Sequence, residues 1–192
     1  MFNVVCERIE RENLKENVWI VGPETARFLH LLVRSLAPKV VIEIGTSVGY
    51  SALWIADALR KNGEGVLWTV ESHAGRFDRA QENIKEAGLE LWIRSVKGHA
   101  PEIFAGPRFE VFRGKKVVDF VFLDATKMEH QSYIDALIPL LAPGAFLVVD
   151  NVQTHRFGLM HEFIQRMHSD SRFEVLELNL GAGLLLAKWA LK

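Results

Sequence analysis

A single cysteine, Cys6, stands among 192 residues. That excludes an internal disulfide and any zinc site built on several cysteines, and it suits a reducing compartment. With no histidine near it in sequence, Cys6 reads as an inert, partly buried thiol. Neither sign of charge is in excess: 23 Lys and Arg face 24 Asp and Glu, a net charge of −1. A chain held to nucleic acid mainly by phosphate neutralisation needs a basic excess somewhere, so the balance argues against that class. A long hydrophobic run is also missing. The most apolar stretch, residues 137–149, is 13 residues long and broken by Pro139, Pro143 and Gly144, well short of the ~20 residues that cross a bilayer. Residues 1–16 are charged from Glu7 onward and lack the apolar centre of a signal peptide. The expectation is a soluble, cytoplasmic protein. Internal repeats, low-complexity tracts and linkers rich in Pro, Gly or Ser are absent, which predicts one domain over residues 1–192, a charged segment at 1–22 and a core at 23–192. What is present is an ordinary globular balance, 49% hydrophobic and 24% charged. A domain of this size hides roughly 70% of its unfolded surface, so a full core forms without staples.

Short β-branched runs alternate with longer helical patterns, the sign of a parallel α/β sheet. Strands are predicted at 40–44 (VVIEI), 65–70 (GVLWTV), 91–97, 117–123 (VVDFVFL), 145–149, 173–178 and 184–189. Helices are predicted at about 50–59, 73–87 with Gly88 as the stop, 128–141 and 159–167. Residues 23–36 carry apolar groups at Phe28, Leu29, Leu32, Val33 and Leu36, an amphipathic helix begun by Pro23. Residues 7–16 hold seven charges in ten positions and predict a solvated surface helix, with a lid over a ligand as the alternative.

The run from Val41 to Ser51, VIEIGTSVGYS, is the most informative piece. Gly45 and Gly49 flank a turn from a buried strand into a helix N-terminus, where unpaired N–H groups favour a negatively charged ligand group. The spacing is G-x-x-x-G, so the dinucleotide fingerprint G-x-G-x-x-G does not match. Glu43 sits inside the strand, where an unpaired carboxylate is costly. Glu71 ends the second strand 22 residues after Gly49, a place suited to accept both hydroxyls of an adenosine ribose; the plain alternative is a strand-end charge. A cationic nucleoside bearing a carboxylate fits this set, with its carboxylate on the helix terminus, its ammonium toward Glu43 and its ribose on Glu71. S-adenosylmethionine has those parts. A rival reading takes Gly45-Thr-Ser47-Val-Gly49 as the G-x-S-x-G nucleophile elbow of α/β-hydrolases, with Asp150 and His155 following in triad order. It places the elbow on the first core strand and leaves Glu43 and Glu71 without a task.

Two further strands end in acids, Asp124 after the fourth and Asp150-Asn151 after the fifth. Ligands of open parallel sheets gather beyond the carboxyl ends of the strands, so these side chains should share one crevice. Asp, Asp and Asn form a hard oxygen set for Mg²⁺, Mn²⁺ or Ca²⁺; a helix cap and a turn are the alternative. The seven histidines form no transition-metal motif: His161-Glu162 opens like a zincin helix, but Gln165 stands where the second His belongs. Gly181-Ala-Gly183 predicts a hairpin turn.

With these residues in view, the chain resembles the class I, S-adenosylmethionine-dependent and cation-dependent O-methyltransferases, among them catechol and caffeoyl-CoA O-methyltransferases. The likeness runs from about Gly22 to Lys188. It rests on EIGT-x-x-GYSA, VFLDA-x-K and VVDNV in order, with GPETARFLHLLVRSLAPKV before them, LWTVESHAGRFDRAQENIKEAGL between and LNLGAGLLLAKW after. The resemblance implies a Rossmann-like, seven-stranded, mostly parallel sheet with an antiparallel last strand and helices on both faces. It also implies that Glu43, Gly45, Gly49 and Ser51 bind the methionine part of the cofactor, Glu71 the ribose, and Gly98-His99-Ala100 the adenine side, with Ser47 and Asp124 among the cofactor-binding residues. Asp124, Asp150 and Asn151 would hold a divalent cation, Mg²⁺ first and Mn²⁺ or Ca²⁺ next, and Lys127 falls where the family's catalytic lysine stands. The loop after Asn151 is shorter than in many relatives, and residues 1–21 do not match the family's substrate-covering segment.

The expected reaction is an in-line displacement at a sulfonium carbon, which demands an ionised oxygen nucleophile, alignment and little water. A cation at Asp124, Asp150 and Asn151 would bind two vicinal oxygens of a small-molecule hydroxyl acceptor and lower the pKa of one, and Lys127 would take the proton. Two alternatives keep the fold: methylation of an oxygen on a modified tRNA base, with Arg108, Arg113, Lys115 and Lys116 as a basic patch, and a non-catalytic cofactor-binding protein. The family's members are commonly dimers, so a homodimer is expected.

Overall fold

The structure, a computed structural model, describes residues 1–190. Its centre is one seven-stranded sheet: β1 (Val40–Ile44), β2 (Val66–Glu71), β3 (Ile93–Lys97), β4 (Val118–Leu123), β5 (Leu141–Val149), β6 (Phe173–Leu178) and β7 (Leu184–Trp189) lie in the order β3-β2-β1-β4-β5-β7-β6. The first five pair in parallel, while β7 runs antiparallel to both neighbours, β5 and β6. The architecture predicted from the sequence is therefore the one observed.

Parallel strands covered on both faces read as continuous apolar runs, and here alternate residues feed two separate cores. Val41, Leu67, Phe120, Phe122 and Val148 pack under the helices α1 (Phe2–Glu16), α2 (Pro23–Leu36), α3 (Tyr50–Asn62) and α4 (Ala74–Ala87). Ile42, Ile44, Val121, Leu123, Leu147 and Val149 pack under α5 (His130–Leu137) and α6 (His161–Ser169). Each fully buried Val, Ile or Leu contributes about 1.5–3 kcal/mol of transfer free energy.

Three boundaries differ from expectation. Helix α5 is preceded by a 3-10 turn at Lys127–Glu129 and ends in another at Ile138–Leu140, where Pro139 cannot continue an α-helix. Strand β5 begins at Leu141 rather than residue 145; its pairing jumps from Val118↔Leu141 to Phe120↔Phe146, a bulge that absorbs Pro143 and Gly144. A 3-10 turn at Glu90–Trp92 replaces the start of the predicted third strand.

The solvated helix expected at 7–16 is corrected more substantially. Helix α1 starts at Phe2 and docks by burying Val5, Cys6 and Ile9 against the core. The charges masked this stripe, since the three apolar residues lie at i, i+1 and i+4, one face of a helix. Burial pushes the Cys6 thiol up to about 12, so it is an inert thiol. No helix among the described residues is long and apolar enough to cross a membrane.

Candidate active site

Strand register decides what meets at the sheet's carboxyl edge. Ile44 is level with Val70 on one side and Leu123 on the other, and Leu123 is level with Val149. The residues one step further, Gly45, Glu71, Asp124 and Asp150, therefore stand in one row. Backbone pairing continues into that row: Gly45 N–H donates to the Val70 carbonyl at 3.0 Å, Asp124 N–H to Ile44 at 3.0 Å and Asp150 N–H to Leu123 at 3.0 Å. Three inter-strand steps separate Glu71 from Asp150, roughly 14 Å at ~4.8 Å each.

A cavity of about 600 Å³ opens over this row. Its lining includes Gly45, Ser47, Glu71, His99, Ala100, Asp124, Lys127, Asp150 and Asn151, so the two halves of the predicted site share one crevice. Glu43, Gly49 and Ser51 are not in the lining; they stand behind the wall. The sequence did not point to Asn17, Trp19 and Ile20 from the segment after α1, or to Arg76, Tyr133 and Thr154, which also line it; His155, named only for the nucleophile-elbow alternative, lines it too. The four basic residues of the patch at 108–116 do not line it, and Arg113 is engaged with Glu110 at 2.6 Å.

The glycine loop is held in a shape that needs glycine. Gly45 has φ +104°, and a Cβ there would stand 2.1 Å from the Asp124 carbonyl oxygen. Glu71 Oε2 accepts from the Ser47 N–H and Oε1 from the His73 N–H, both at 2.8 Å. The carboxylate is thus fixed at the mouth of the loop, with Arg76 Nε 3.6 Å away. Ser47 itself has φ +48°, and its hydroxyl donates to the Val18 carbonyl at 2.8 Å. That hydroxyl is committed away from any base, and His155 is not bonded to it. The nucleophile-elbow reading is overturned on this geometry.

Glu43 is fully buried, level with Thr69 on β2. Its Oε2 accepts from the Thr69 hydroxyl at 2.5 Å, Thr69 also bonds Thr46, and Oε1 has no partner. Burial pushes this carboxyl up to about 7, aided by the charges of Asp124 and Glu71 and opposed by the Ser51 and Thr69 hydroxyls.

At the other half of the row, Lys127 Nζ donates to Asp124 Oδ1 at 2.8 Å. Asn151, at φ +65°, donates from Nδ2 to Asp150 Oδ2 at 3.0 Å, and buried Asp150 Oδ1 has no partner. Burial first, and the Asp124 charge second, hold the Asp150 carboxyl well above the usual carboxylate range. His130 is buried beneath, with Nδ1 3.0 Å from the Thr126 carbonyl and Nε2 unpartnered. Burial and the nearby Lys127 charge lower its pKa to about 4, so the ring is neutral and Nδ1–H donates. On the cavity wall beyond Glu71, His99 bridges Glu102 at 2.9 Å and Glu129 at 3.3 Å. The Tyr133 hydroxyl donates to Glu129 at 2.5 Å.

The donor set Asp124, Asp150 and Asn151 fits a hard divalent cation. Two carboxylates face each other across adjacent strand ends, an amide adjoins them, and a buried carboxylate oxygen lacks any partner. No group of three His, Cys, Asp or Glu suited to a metal occurs among the described residues, so a cation here would rest on two carboxylates and one amide.

Comparison with known proteins agrees with this geometry. The family model described as O-methyltransferase matches residues 5–190. A catechol O-methyltransferase of Niastella koreensis is 37% identical over 132 residues, covering 69% of this chain and 58% of its own length. A caffeoyl-CoA O-methyltransferase of Populus kitakamiensis is 27% identical over 189 residues, covering 88% of this chain and 77% of its own. Among solved structures, the O-methyltransferase from Bacillus cereus in complex with SAH superimposes with a TM-score of 0.84 at 25% identity, covering 97% of this chain and 90% of that one.

Proposed function

The chain belongs to the O-methyltransferase family, and from that membership we propose that it transfers the methyl group of S-adenosylmethionine to a hydroxyl of a small molecule carrying two vicinal oxygens, assisted by a divalent cation. One observation carries the reading: Glu71 and the Asp124, Asp150 and Asn151 set line the same cavity. The nucleoside end of the cofactor lies on Glu71, whose two oxygens are already aimed by backbone donors from Ser47 and His73. Its amino-acid end lies on the turn at Gly45 and Ser47, where close backbone approach is possible. The Bacillus cereus relative was solved in complex with SAH, the demethylated cofactor, which supports a cofactor of this class.

Asp124, Asp150 and Asn151 are the residues that would hold the cation. When bound, it supplies positive charge that lowers the pKa of an acceptor hydroxyl. The chain's own residues do the rest. Lys127 is an ammonium paired with Asp124 at 2.8 Å, so it would first release a proton to solvent; its free amine would then take the acceptor's proton at Nζ, and the Asp124 carboxylate would stabilise the ammonium re-formed. His130 fixes the turn that carries Lys127 through its bond to Thr126. Trp19 and Ile20 add apolar surface to the cavity wall.

Calorimetric titration of S-adenosylmethionine, followed by turnover of catechol with Mg²⁺ and with chelator, tests the reading. Cofactor binding together with Mg²⁺-dependent methylation of catechol is the expected result. Absence of cofactor binding refutes the function, and equal turnover in chelator refutes the metal role.

A further inference from the structure

The N-terminal helix was weighed above as a lid, yet α1 lies on α3 and α4, behind the glycine loop rather than over the cavity. From there α1 and the segment that follows it reach the loop and the start of α3 at three points. The Ser47 hydroxyl donates to the Val18 carbonyl at 2.8 Å. Tyr50, buried at the start of α3, donates to Glu10 at 2.5 Å. The third link passes through Asn83 of α4, which is 2% exposed. Its Nδ2 donates to the Val48 carbonyl at 2.8 Å, and its Oδ1 accepts from Arg8 Nη2 at 2.8 Å. Arg8 is in turn held by Glu12 at 3.1 Å and Glu86 at 2.7 Å, and Glu12 also pairs with Arg79 at 2.7 Å.

Asn83 therefore has both ends of its amide assigned, and the assignment fixes its orientation: Arg8 can only donate and the Val48 carbonyl can only accept. One helical turn earlier, Ala80 closes against Gly49, where a Cβ would meet it at 3.4 Å. Ala80 and Asn83 thus form one face of α4 that supports the loop from Val48 to Gly49 while the opposite side of the loop, at Gly45 and Ser47, faces the cavity.

We propose that Arg8 and Asn83 are positioning residues, which hold the Val48 carbonyl and thereby the cofactor-binding turn, so that the docked N-terminal helix sets cofactor affinity. This rests on the placement of S-adenosylmethionine at that turn. Removing either residue leaves the acceptor side untouched, since Asp124, Lys127, Asp150 and Asn151 lie just beyond the ends of β4 and β5 and make no bond to Arg8 or Asn83. Loss of a buried hydrogen bond of this kind weakens binding about tenfold when the bound state alone requires the held loop.

The full-length chain is compared with Asn83→Ala, Arg8→Met, Arg8→Lys and Gly63→Ala, the last being a remote helix-end control with no atom within 4 Å of the added Cβ. Two readouts are used: the Kd of S-adenosylmethionine, with KM and kcat for both substrates, and hydrogen exchange of the amides of residues 46–49 in the free protein. Expected are a Kd and cofactor KM about tenfold higher for Asn83→Ala and Arg8→Met, unchanged acceptor KM, faster loop exchange, and substantial recovery in Arg8→Lys, which keeps a donor. Gly63→Ala should bind as the parent does. Parent-like affinity and loop exchange in Arg8→Met overturn the inference, even if Asn83→Ala fails to fold. Failure of the parent chain to bind S-adenosylmethionine refutes the function instead, and loop exchange then still decides whether Arg8 holds the turn.

Discussion

Replacing Gly45 by alanine tests the claim that the cofactor turn and the Asp124 strand end are packed as one unit. The added Cβ would stand 2.1 Å from the Asp124 carbonyl oxygen, 0.9 Å inside the 3.0 Å limit of real Cβ contacts, and 2.6 Å from the carbonyl carbon. Both are backbone atoms, so no side chain can swing away to make room. Two costs add. Holding alanine at φ +104° costs about 1–2 kcal/mol, and forcing a methyl into filled space costs about 1–3 kcal/mol. The sum, about 2–5 kcal/mol, lowers Tm by about 6–15 °C at some 3 °C per kcal/mol for a domain of this size. Gly63→Ala isolates the first cost, because Gly63 is also left-handed at φ +80° but has nothing within 4 Å. It should lose about 1–2 kcal/mol. Because Gly45 and Asp124 both line the cavity, Gly45→Ala should also weaken S-adenosylmethionine and Mg²⁺ together, while Gly63→Ala weakens neither. Scanning calorimetry and titration of the two variants decide the matter. Equal losses of Tm in both, with binding intact in Gly45→Ala, would refute the packing argument.

Other outcomes follow from the same geometry. Asp150→Ala should abolish Mg²⁺-dependent turnover and leave the Kd of S-adenosylmethionine within about threefold, a change of under 1 kcal/mol; unchanged turnover would remove Asp150 from the cation set. Glu71→Gln should raise that Kd about 10- to 100-fold, the worth of hydrogen bonds to a charged acceptor, with the acceptor KM unchanged. Glu43 carries a raised pKa, from 4.5 to about 7. The folded state therefore holds a proton that the unfolded state releases between those values, and stability must fall as pH rises from 4.5 to 7, by up to about 3 kcal/mol. Denaturation across this range should show that slope; Asp150, raised in the same direction, adds to it, so Glu43→Gln should lower the slope without abolishing it, gaining most above pH 7. A parent-like slope in Glu43→Gln would assign it to other groups.

Much of this was legible in the sequence because parallel strands buried on both faces leave simple apolar runs, and because the ligand edge follows from where those runs stop. Gly45, Glu71, Asp124 and Asp150 each sit one residue past such a run, and register alone brings them together. Less legible was anything made by contact across elements. Cys6 was expected to be partly buried, but the burial of Val5 and Ile9 beside it was hidden among charges that pair with α4 rather than with water. Thr69 was overlooked, although a carboxylate inside an apolar strand requires a partner at its own level on the neighbouring strand, and Glu43 faces Thr69 there. Asn83 gave no local signal, since a polar residue on a charged helix resembles any solvated one. The wall at Asn17, Trp19 and Ile20 depends on how the chain leaves α1, at an Asn17 in left-handed conformation, and no periodicity encodes such a turn.

The insertion of β7 between β5 and β6 divides the sheet into unequal parts during assembly. Strand β6 is made before β7 but has no neighbour until β7 arrives and pairs with it on one side and with β5 on the other. The five parallel strands, by contrast, carry the whole row from Glu71 to Asp150 and complete one another's ladders without the hairpin. Lesions in strand β6, away from the 181–183 turn that touches the cavity, should accordingly be read first in the yield of soluble protein, through an unpaired strand waiting for its mate, while molecules that do fold retain near-normal chemistry.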